Sequence, residues 1–134
     1  MSKINGIQHV ALKASDFQKS RAFYEGLGLK PLVGWGEGKG EALMLDTGCG
    51  VIELFNADAD YPAVGRFNHV AFNVGAPEDV AEMYELALSL GAKPQQEAKT
   101  IPIQNARPYG VVITCAFVYG PDGESVEFFN MKNI

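Results

Sequence analysis

Two histidines and two glutamates hold matching positions in an internal repeat of this 134-residue chain. His9 lies in the segment QHVA, and His69 lies 60 residues later in the segment NHVA. Each half ends in an apolar segment that carries one carboxylate, Glu53 in VIELF and Glu127 in SVEFF. Two imidazoles and two carboxylates suit a divalent transition metal and leave coordination positions open for a substrate. The repeat therefore predicts a metal site built by two similar units.

Each of these residues also has a structural interpretation. A histidine in an apolar strand is more often a hydrogen-bonded core residue than a ligand, and a glutamate in a strand usually lies on a solvated face. The joint pattern favours the metal, because Glu53 and Glu127 both lie within apolar runs. An ionised carboxylate in such a place is costly unless it is paired or bound to a cation.

The elements that must position these residues are predicted as two βαβββ units of one domain, at 1–58 and 66–134, joined by a linker at 56–65. In the first unit we expect a strand at 7–13, a helix capped by Ser15 or Asp16 and ended by Gly28, and strands at 32–35, 42–45 and 51–56. In the second unit we expect a strand at 67–74, a helix at 77–90 that begins at Pro77, and three further strands near 94–97, at 111–119 and at 125–131. Residues 121–123 read as a hairpin turn.

Strand alternation predicts where the four polar residues point. On the first strand, His9 shares a face with Ala11, opposite an aliphatic face that suits packing under a helix. The other three strands show the same separation of a polar from an apolar face. The fold class is therefore α+β, a cupped mixed sheet with the helices outside and the His/Glu faces on the concave side.

Composition excludes several classes of function. The net charge is −5 and the basic residues are scattered, which argues against nucleic-acid binding. The longest apolar run, 111–119, is too short to span a bilayer, and the first residues lack the apolar stretch of a signal peptide. Cys49 and Cys115 lack metal-ligand spacing and read as reduced thiols, so we expect a cytoplasmic protein.

The repeat resembles the vicinal oxygen chelate superfamily, which includes glyoxalase I, methylmalonyl-CoA epimerase, extradiol dioxygenases and fosfomycin-resistance thiol transferases. The matching segments are HVAL at 9–12, FYEGLGL at 23–29, IELF at 52–55, NHVAF at 68–72 and GPDG at 120–123 leading to VEF at 126–128. They cover nearly the whole chain. Glu53 stands where dioxygenases and thiol transferases have no ligand, and this makes the set most similar to a short bacterial glyoxalase I.

This resemblance implies a cofactor, an assembly and roles for the site residues. The metal ligands would be His9, Glu53, His69 and Glu127, with nickel or cobalt favoured and zinc, manganese or iron as alternatives. Glu127 would be the principal catalytic base, and Glu53 would share that role. The active form would be a homodimer in which His9 and Glu53 of one chain meet His69 and Glu127 of the other.

The resemblance also bears on the substrate, a small molecule and possibly a thiol adduct. Lys13 stands where glyoxalase I has an arginine for a glutathione carboxylate, and a lysine lacks the bidentate fork of that arginine. Asn56 follows Glu53 by three residues rather than the usual four, so it should point away from the site. A loop at 99–110, with Arg107 and Tyr109, either closes over an anionic substrate or is a surface connection.

The activity implied is isomerisation of the hemithioacetal of a 2-oxoaldehyde to a 2-hydroxyacyl thioester. Such chemistry needs a base for a carbon-bound proton and a cation beside the oxygens that gain charge. Other members of the superfamily remain alternatives, as epimerases, isomerases or dioxygenases. A protein that binds a small molecule without converting it is a further alternative.

Overall fold

The computed structural model describes residues 3–26, 28–57, 67–120 and 125–134. Within these ranges the elements are β1 (Ile4–Ala14), α1 (Phe17–Gly26), β2 (Lys30–Trp35), β3 (Ala42–Asp46), β4 (Val51–Asn56), β5 (Phe67–Val74), α2 (Pro77–Ser89), β6 (Lys93–Ile103), β7 (Val111–Tyr119) and β8 (Ser125–Asn133). The predicted βαβββ order is confirmed in both units. The predicted turn at 121–123 and most of the predicted linker, from 58 onward, lie outside the described residues.

All eight strands form one mixed sheet in the order β2-β3-β4-β1-β5-β8-β7-β6. In each unit the first and last strands are parallel neighbours, β1 beside β4 and β5 beside β8. The two units meet where β1 pairs antiparallel with β5 at the centre of the sheet. This arrangement confirms the predicted α+β fold and puts the four strands that carry the histidines and glutamates side by side.

The two helices cover one face of the sheet, as the apolar alternation predicts. Under α1, Phe17 packs with Leu43, Leu45 and Leu54. Under α2, a second cluster joins helix residues to the apolar faces of the second unit's strands; its buried members are Val74, Val80, Met83, Tyr84, Ala116, Val118 and Phe128. The helices thereby occupy the outer face and leave the opposite, concave face to the polar residues.

Local sequence signals fix the starts of both helices. Before α1, the Asp16 carboxylate accepts a hydrogen bond from the backbone N–H of Lys19 at 3.1 Å, which confirms Asp16 as the N-cap. The α2 helix begins with Pro77 in its first turn, followed by Glu78 and Asp79, whose charges suit the positive end of a helix dipole. Gly28 follows α1 with a φ of 106°, a conformation that favours glycine at a helix end.

The prediction for β6 was wrong in its extent. The expected loop begins at residue 99, but the strand continues to Ile103 and pairs there with Val111 of β7. The strand contains Pro94 and Pro102, which cannot donate to a neighbouring strand and so resemble loop residues in the sequence. They are tolerated because β6 is the last strand of the sheet order and has an edge with no strand partner among the described elements.

The sheet curls until its two ends meet. Gly34 of the edge strand β2 and Arg107, which follows β6, exchange two backbone hydrogen bonds of 2.8 Å each. This bridge ties the first unit to the second at a place other than their central β1–β5 pairing. Among the described residues, no helix is long and apolar enough to cross a membrane.

Candidate metal centre

The strand register brings the four candidate ligands to one place on the concave face. Ala11 pairs with Glu53 on one side and lies opposite His69 on the other. Ala71 holds the equivalent position in the second unit, between His9 and Glu127. Both alanines are fully buried. Because each central position carries only a methyl group, the longer side chains from the flanking strands can converge above it.

The converging atoms are two histidine nitrogens and two carboxylate oxygens, all from buried residues. The Nε2 atoms of His9 and His69 lie 3.0 Å apart. Glu127 Oε1 lies 2.9 Å from the His69 nitrogen and 3.2 Å from the His9 nitrogen. Glu53 Oε1 lies 3.1 Å from the His9 nitrogen and 3.8 Å from that of His69.

The other nitrogen of each imidazole is held by the amide residue that precedes it. His69 Nδ1 lies 2.6 Å from Asn68 Oδ1, and His9 Nδ1 contacts Gln8 Oε1. An amide oxygen only accepts hydrogen bonds, so each Nδ1 donates its proton. Each neutral ring then directs the Nε2 lone pair at the other three candidate ligands. Such outer hydrogen bonds are the usual way in which proteins fix the tautomer and orientation of a metal-binding histidine.

This arrangement fits a divalent cation on physical grounds. With both rings neutral, two lone pairs face each other at 3.0 Å and two carboxylates stand beside them, so four acceptors meet without a donor. In that state the buried Glu127 Oε1 atom has no hydrogen-bond donor among the described residues. Buried acceptors in such a group repel one another unless a positive charge lies between them. Imidazole and carboxylate donors in this ratio suit zinc, nickel, cobalt, manganese and iron.

The pKa shifts in the site have the same cause. Burial lowers the pKa of His9, but hydrogen bonds and charge from Glu127 and Glu53 outweigh burial and raise the pKa to about 9. Burial raises the pKa of Glu127, yet His69 and His9 lower it overall by hydrogen bonding to the carboxylate. Both shifts arise because, without a cation, a protonated imidazole and the carboxylates stabilise each other; a divalent ion at the centre would take the place of that proton.

Aromatic rings hold the two imidazoles from the sides. The ring of Phe129 meets His9 edge to face with centroids 5.0 Å apart, and Phe117 meets His69 in the same way at 5.2 Å. Contacts of this geometry restrict ring rotation. Together with the amide hydrogen bonds they leave each histidine one orientation.

In this structure all four residues come from one chain, because the antiparallel pairing of β1 with β5 joins the two units edge to edge. The expectation that two chains share each site stays a prediction, which mixing of variant chains would test. The expected homodimer is not needed to complete the centre and stays a prediction.

Above the centre lies a cup of about 370 Å³. Its lining consists of four aromatic and three isoleucine side chains, the four candidate ligands, and three further residues, Gln96, Lys99 and Cys115. Gln96 Nε2 donates to the Cys115 sulfur at 3.7 Å. Burial and the charge of Glu127 raise the pKa of the Cys115 thiol to about 11, so it stays neutral at physiological pH. The cup is therefore an apolar chamber with one cation in its wall.

The substrate residues expected from the resemblance lie elsewhere. Lys13, Arg107 and Tyr109 are absent from the part of the wall that the described residues form. Arg107 Nη2 donates to the carbonyl of Gly36 at 3.3 Å, and Arg107 lines a separate groove of about 440 Å³ beside β2. Tyr109 packs against the apolar cluster that includes the wall residues Ile113, Cys115 and Phe129, but it is not itself among the residues that line the cup. The expectation that Asn56 points away is confirmed, since its amide donates to the Gly38 carbonyl at 2.7 Å.

Sequence reasoning missed the two residues that orient the histidines. Gln8 and Asn68 are both amides, and both directly precede a histidine, so the repeat itself carried the signal. Lys99 was assigned to a loop, and its place in the wall depends on a strand irregularity that spacing does not predict. Trp35 is likewise a wall residue that no motif marked.

The fold is shared with several solved structures. A glyoxalase from Novosphingobium aromaticivorans, described as Mn(II)-bound, matches at a TM-score of 0.69 and 22% identity, over 96% of this chain and 40% of that chain. The 2,3-dioxygenase LapB from Pseudomonas sp. KL28 matches at 0.63 and 16%, over 96% and 43%. A hypothetical protein from Bacillus halodurans C-125 matches at 0.56 and 21%, over 92% and 91%.

These likenesses concern the fold, and this chain spans less than half the length of the glyoxalase and the dioxygenase. Among curated proteins, none matches the sequence. The family profile described as "Glyoxalase/Bleomycin resistance protein/Dioxygenase superfamily" matches residues 6–128, almost the whole chain. With its paired βαβββ units and the His/Glu centre at their junction, the chain belongs to the glyoxalase/bleomycin resistance protein/dioxygenase superfamily.

Proposed function

We propose that this protein is a metal-dependent lyase of the glyoxalase I type, which isomerises the hemithioacetal of a 2-oxoaldehyde to a 2-hydroxyacyl thioester. One observation carries the proposal: two carboxylates, rather than one, flank the paired histidine nitrogens beneath an apolar cup. The superfamily is largely enzymatic, and its members bind divalent metals and small-molecule substrates. Among the activities of the superfamily, the assignment of a lyase activity to this protein is our inference.

The number of protein donors favours this chemistry over a dioxygenase. His9, Glu53, His69 and Glu127 would fill four positions of a six-coordinate ion and leave two. Two positions suffice for the vicinal oxygens of one substrate but leave none for dioxygen as well. We infer nickel or cobalt as the native ion, with zinc, manganese or iron as alternatives that elemental analysis of purified protein would distinguish.

The chain's own residues supply the proton transfer. A divalent ion held here would stabilise negative charge that develops on the substrate oxygens. Glu127 would take the proton from the carbon that bears sulfur and return it to the adjacent carbon, while the hydroxyl proton on the first carbon's oxygen passes to the second carbon's oxygen, so that the atoms of substrate and product balance. Glu127 suits this role because its pKa is lowered, which keeps it ionised, and because its Oε1 atom is buried at the centre of the site, beside both histidine nitrogens. Glu53 would share the role from the other side of the histidines.

The apolar wall supports the reaction by excluding water. Trp35, Phe55 and Phe117 line the cup and offer no group that competes with Glu127 for a proton. In a site with little water, the charges of the carboxylates act on the substrate with less screening. The proton taken by Glu127 can then return to the substrate before it exchanges fully with solvent.

The test is turnover of methylglyoxal hemithioacetals by protein loaded with nickel, cobalt or zinc. Glutathione and a smaller thiol should both be used as adduct partners. Glu127→Gln should lower the rate roughly a hundredfold, the usual effect of removing a general base, while the protein stays folded and retains most of its metal. A near-normal rate in Glu127→Gln would remove Glu127 from the role. Failure of the wild type to convert any adduct, together with oxygen uptake on a vicinal diol, would favour a dioxygenase instead.

We also propose a homodimer that works in the cytoplasm. A single chain completes the metal centre, so dimerisation would serve stability or access to the cup. Sedimentation of the wild type at several concentrations would measure the assembly directly.

A further inference from the structure

Strand β6 contains an irregularity beside the metal centre. Gln96 pairs with Phe117 of β7, and the next regular pair joins Lys99 to Cys115. A step of three residues on β6 therefore matches a step of two on β7. Such an extra residue is a β-bulge, which changes the face to which the following side chains point.

The bulge determines what lines the cup. With regular alternation, a strand that turns Gln96 inward would turn Lys99 outward. Instead Gln96, Lys99, Ile101 and Ile103 all line the cup. The irregularity therefore brings a cation, followed by two isoleucines, to the face that carries the metal ligands.

Lys99 is free to receive a ligand. Its side chain is exposed at the mouth of the cup. Among the residues that the structure describes, none forms a hydrogen bond or an ion pair with it. Apart from the two histidines of the metal centre, it is the one basic residue in the described wall, where the carboxylates are those of the metal centre, Glu53 and Glu127. A single ammonium group in an apolar wall selects a single anionic group.

From these observations we propose that Lys99 sets the substrate class. The substrate is a compact molecule with vicinal oxygens, an apolar body of about the size of one aromatic ring, and one carboxylate that reaches Lys99. That its vicinal oxygens face the metal is an inference that rests on the proposed function. The body packs on Trp35, Phe55 and the isoleucines, and its charged end stays near the mouth.

The same geometry disfavours a glutathione adduct. Glutathione carries two carboxylates and an ammonium group, whereas the described wall offers one cation and no carboxylate outside the metal centre. Its remaining charges would lie against aromatic and isoleucine side chains, and burying an unpaired charge is costly. A small thiol with one carboxylate, joined to an aromatic 2-oxoaldehyde, places one charge at Lys99 and leaves none unmatched.

Binding can be tested without turnover by using hydroxamates, which present two vicinal oxygens. The protein should be loaded with zinc, and Trp35, the only tryptophan of the chain, reports on the cup by fluorescence. We expect 4-carboxybenzohydroxamate to bind roughly fivefold more tightly than benzohydroxamate, the scale of an exposed ion pair. Lys99→Met should abolish this preference, whereas Lys99→Arg should preserve it.

The matched control is Lys93→Met, which removes a lysine from the same strand but not from the cup. It should bind both hydroxamates like the wild type. Equal affinities for the two hydroxamates in wild-type protein would overturn the proposal. So would an unchanged preference in Lys99→Met, and so would a failure of the zinc-loaded protein to bind either compound.

Turnover then separates this proposal from the proposed function. Phenylglyoxal hemithioacetals should be made with thioglycolate, which adds a carboxylate, and with thiocholine, which adds a quaternary ammonium group. Faster conversion of the thioglycolate adduct by wild type, but not by Lys99→Met, supports both proposals. Conversion of both adducts at equal rates refutes the role of Lys99 and leaves the proposed lyase activity in place. A hydroxamate preference without conversion of any adduct refutes the lyase and leaves the role of Lys99 in place.

Discussion

Replacing the amides that hold the two histidines should weaken metal binding without touching a metal ligand. Gln8 and Asn68 accept the Nδ1 protons of His9 and His69 and so direct both Nε2 lone pairs at the centre. A leucine has similar size but cannot accept a hydrogen bond. In Gln8→Leu or Asn68→Leu, the neighbouring imidazole would be free to adopt the other tautomer, which places a proton where the metal must bind.

The loss of metal affinity should differ between the two substitutions. Loss of such an outer hydrogen bond typically lowers metal affinity 10- to 100-fold, which is about 1.4 to 2.7 kcal/mol. Gln8 is half-buried, whereas Asn68 is exposed and water can replace its oxygen. We therefore expect Gln8→Leu to fall near the upper end of that range and Asn68→Leu near the lower end.

The assay is competition for zinc against a chromophoric chelator, with circular dichroism to confirm the fold. Gln8→Glu keeps an acceptor for the histidine proton and should bind zinc nearly as well as the wild type. Asn73→Leu is a matched control, because the Asn73 amide lies on the same strand as Asn68 but donates to Asn5 rather than to a histidine. Zinc affinity within twofold of wild type in the Gln8→Leu, Asn68→Leu double variant would refute the reasoning.

Three further predictions follow from the centre. Mixing a His9→Ala chain with a Glu127→Ala chain should restore neither metal binding nor activity, since all four donors come from one chain. Recovery of about half of the metal sites, by site counting, would show instead that two chains exchange units. Ala71→Val should lose zinc while the protein stays folded, because a larger side chain between His9 and Glu127 fills the centre. The overpacking should lower the free energy of unfolding by about 1–3 kcal/mol. Full zinc occupancy in folded Ala71→Val would contradict this. At pH 8, iodoacetamide should modify the exposed Cys49 much faster than Cys115. Cys115 is buried, and its thiol pKa of about 11 leaves little of the reactive thiolate. Equal modification rates by mass spectrometry would contradict the buried position of Cys115.

The repeat made most of the fold predictable. Two copies of one strand–helix–strand pattern gave the order of the elements, and alternation gave the face of each strand. The helix starts at Asp16 and Pro77 followed from local chemistry, a carboxylate that caps free N–H groups and a ring that suits the first turn. These features depend on residues near one another in the chain, so the sequence alone contains the information.

The wall of the cup was less predictable because it depends on pairing between strands. Lys99 faces the metal centre only because one extra residue stands between it and Gln96 in the ladder with β7. Periodicity within β6 gives the opposite face. Pro94 and Pro102 further conceal this strand, since only its edge position makes them acceptable. The substrate side of the site therefore required the structure, although the metal side was visible in the sequence.

Whether one chain or two would build the centre could not be read from the repeat, because the same β1–β5 contacts serve either arrangement. The two arrangements differ in the entropy that is lost when the two units come together. Only ten residues separate the end of β4 at Asn56 from the start of β5 at Phe67. Closing a flexible loop of that length costs about (3/2)RT ln n, roughly 2 kcal/mol. Bringing two chains together costs an estimated 4–15 kcal/mol before any contact forms. Pairing within the chain is therefore favoured wherever the connection can span the distance. A dimer that exchanges units would need a second interface to offset the difference, and the mixing experiment detects such an exchange.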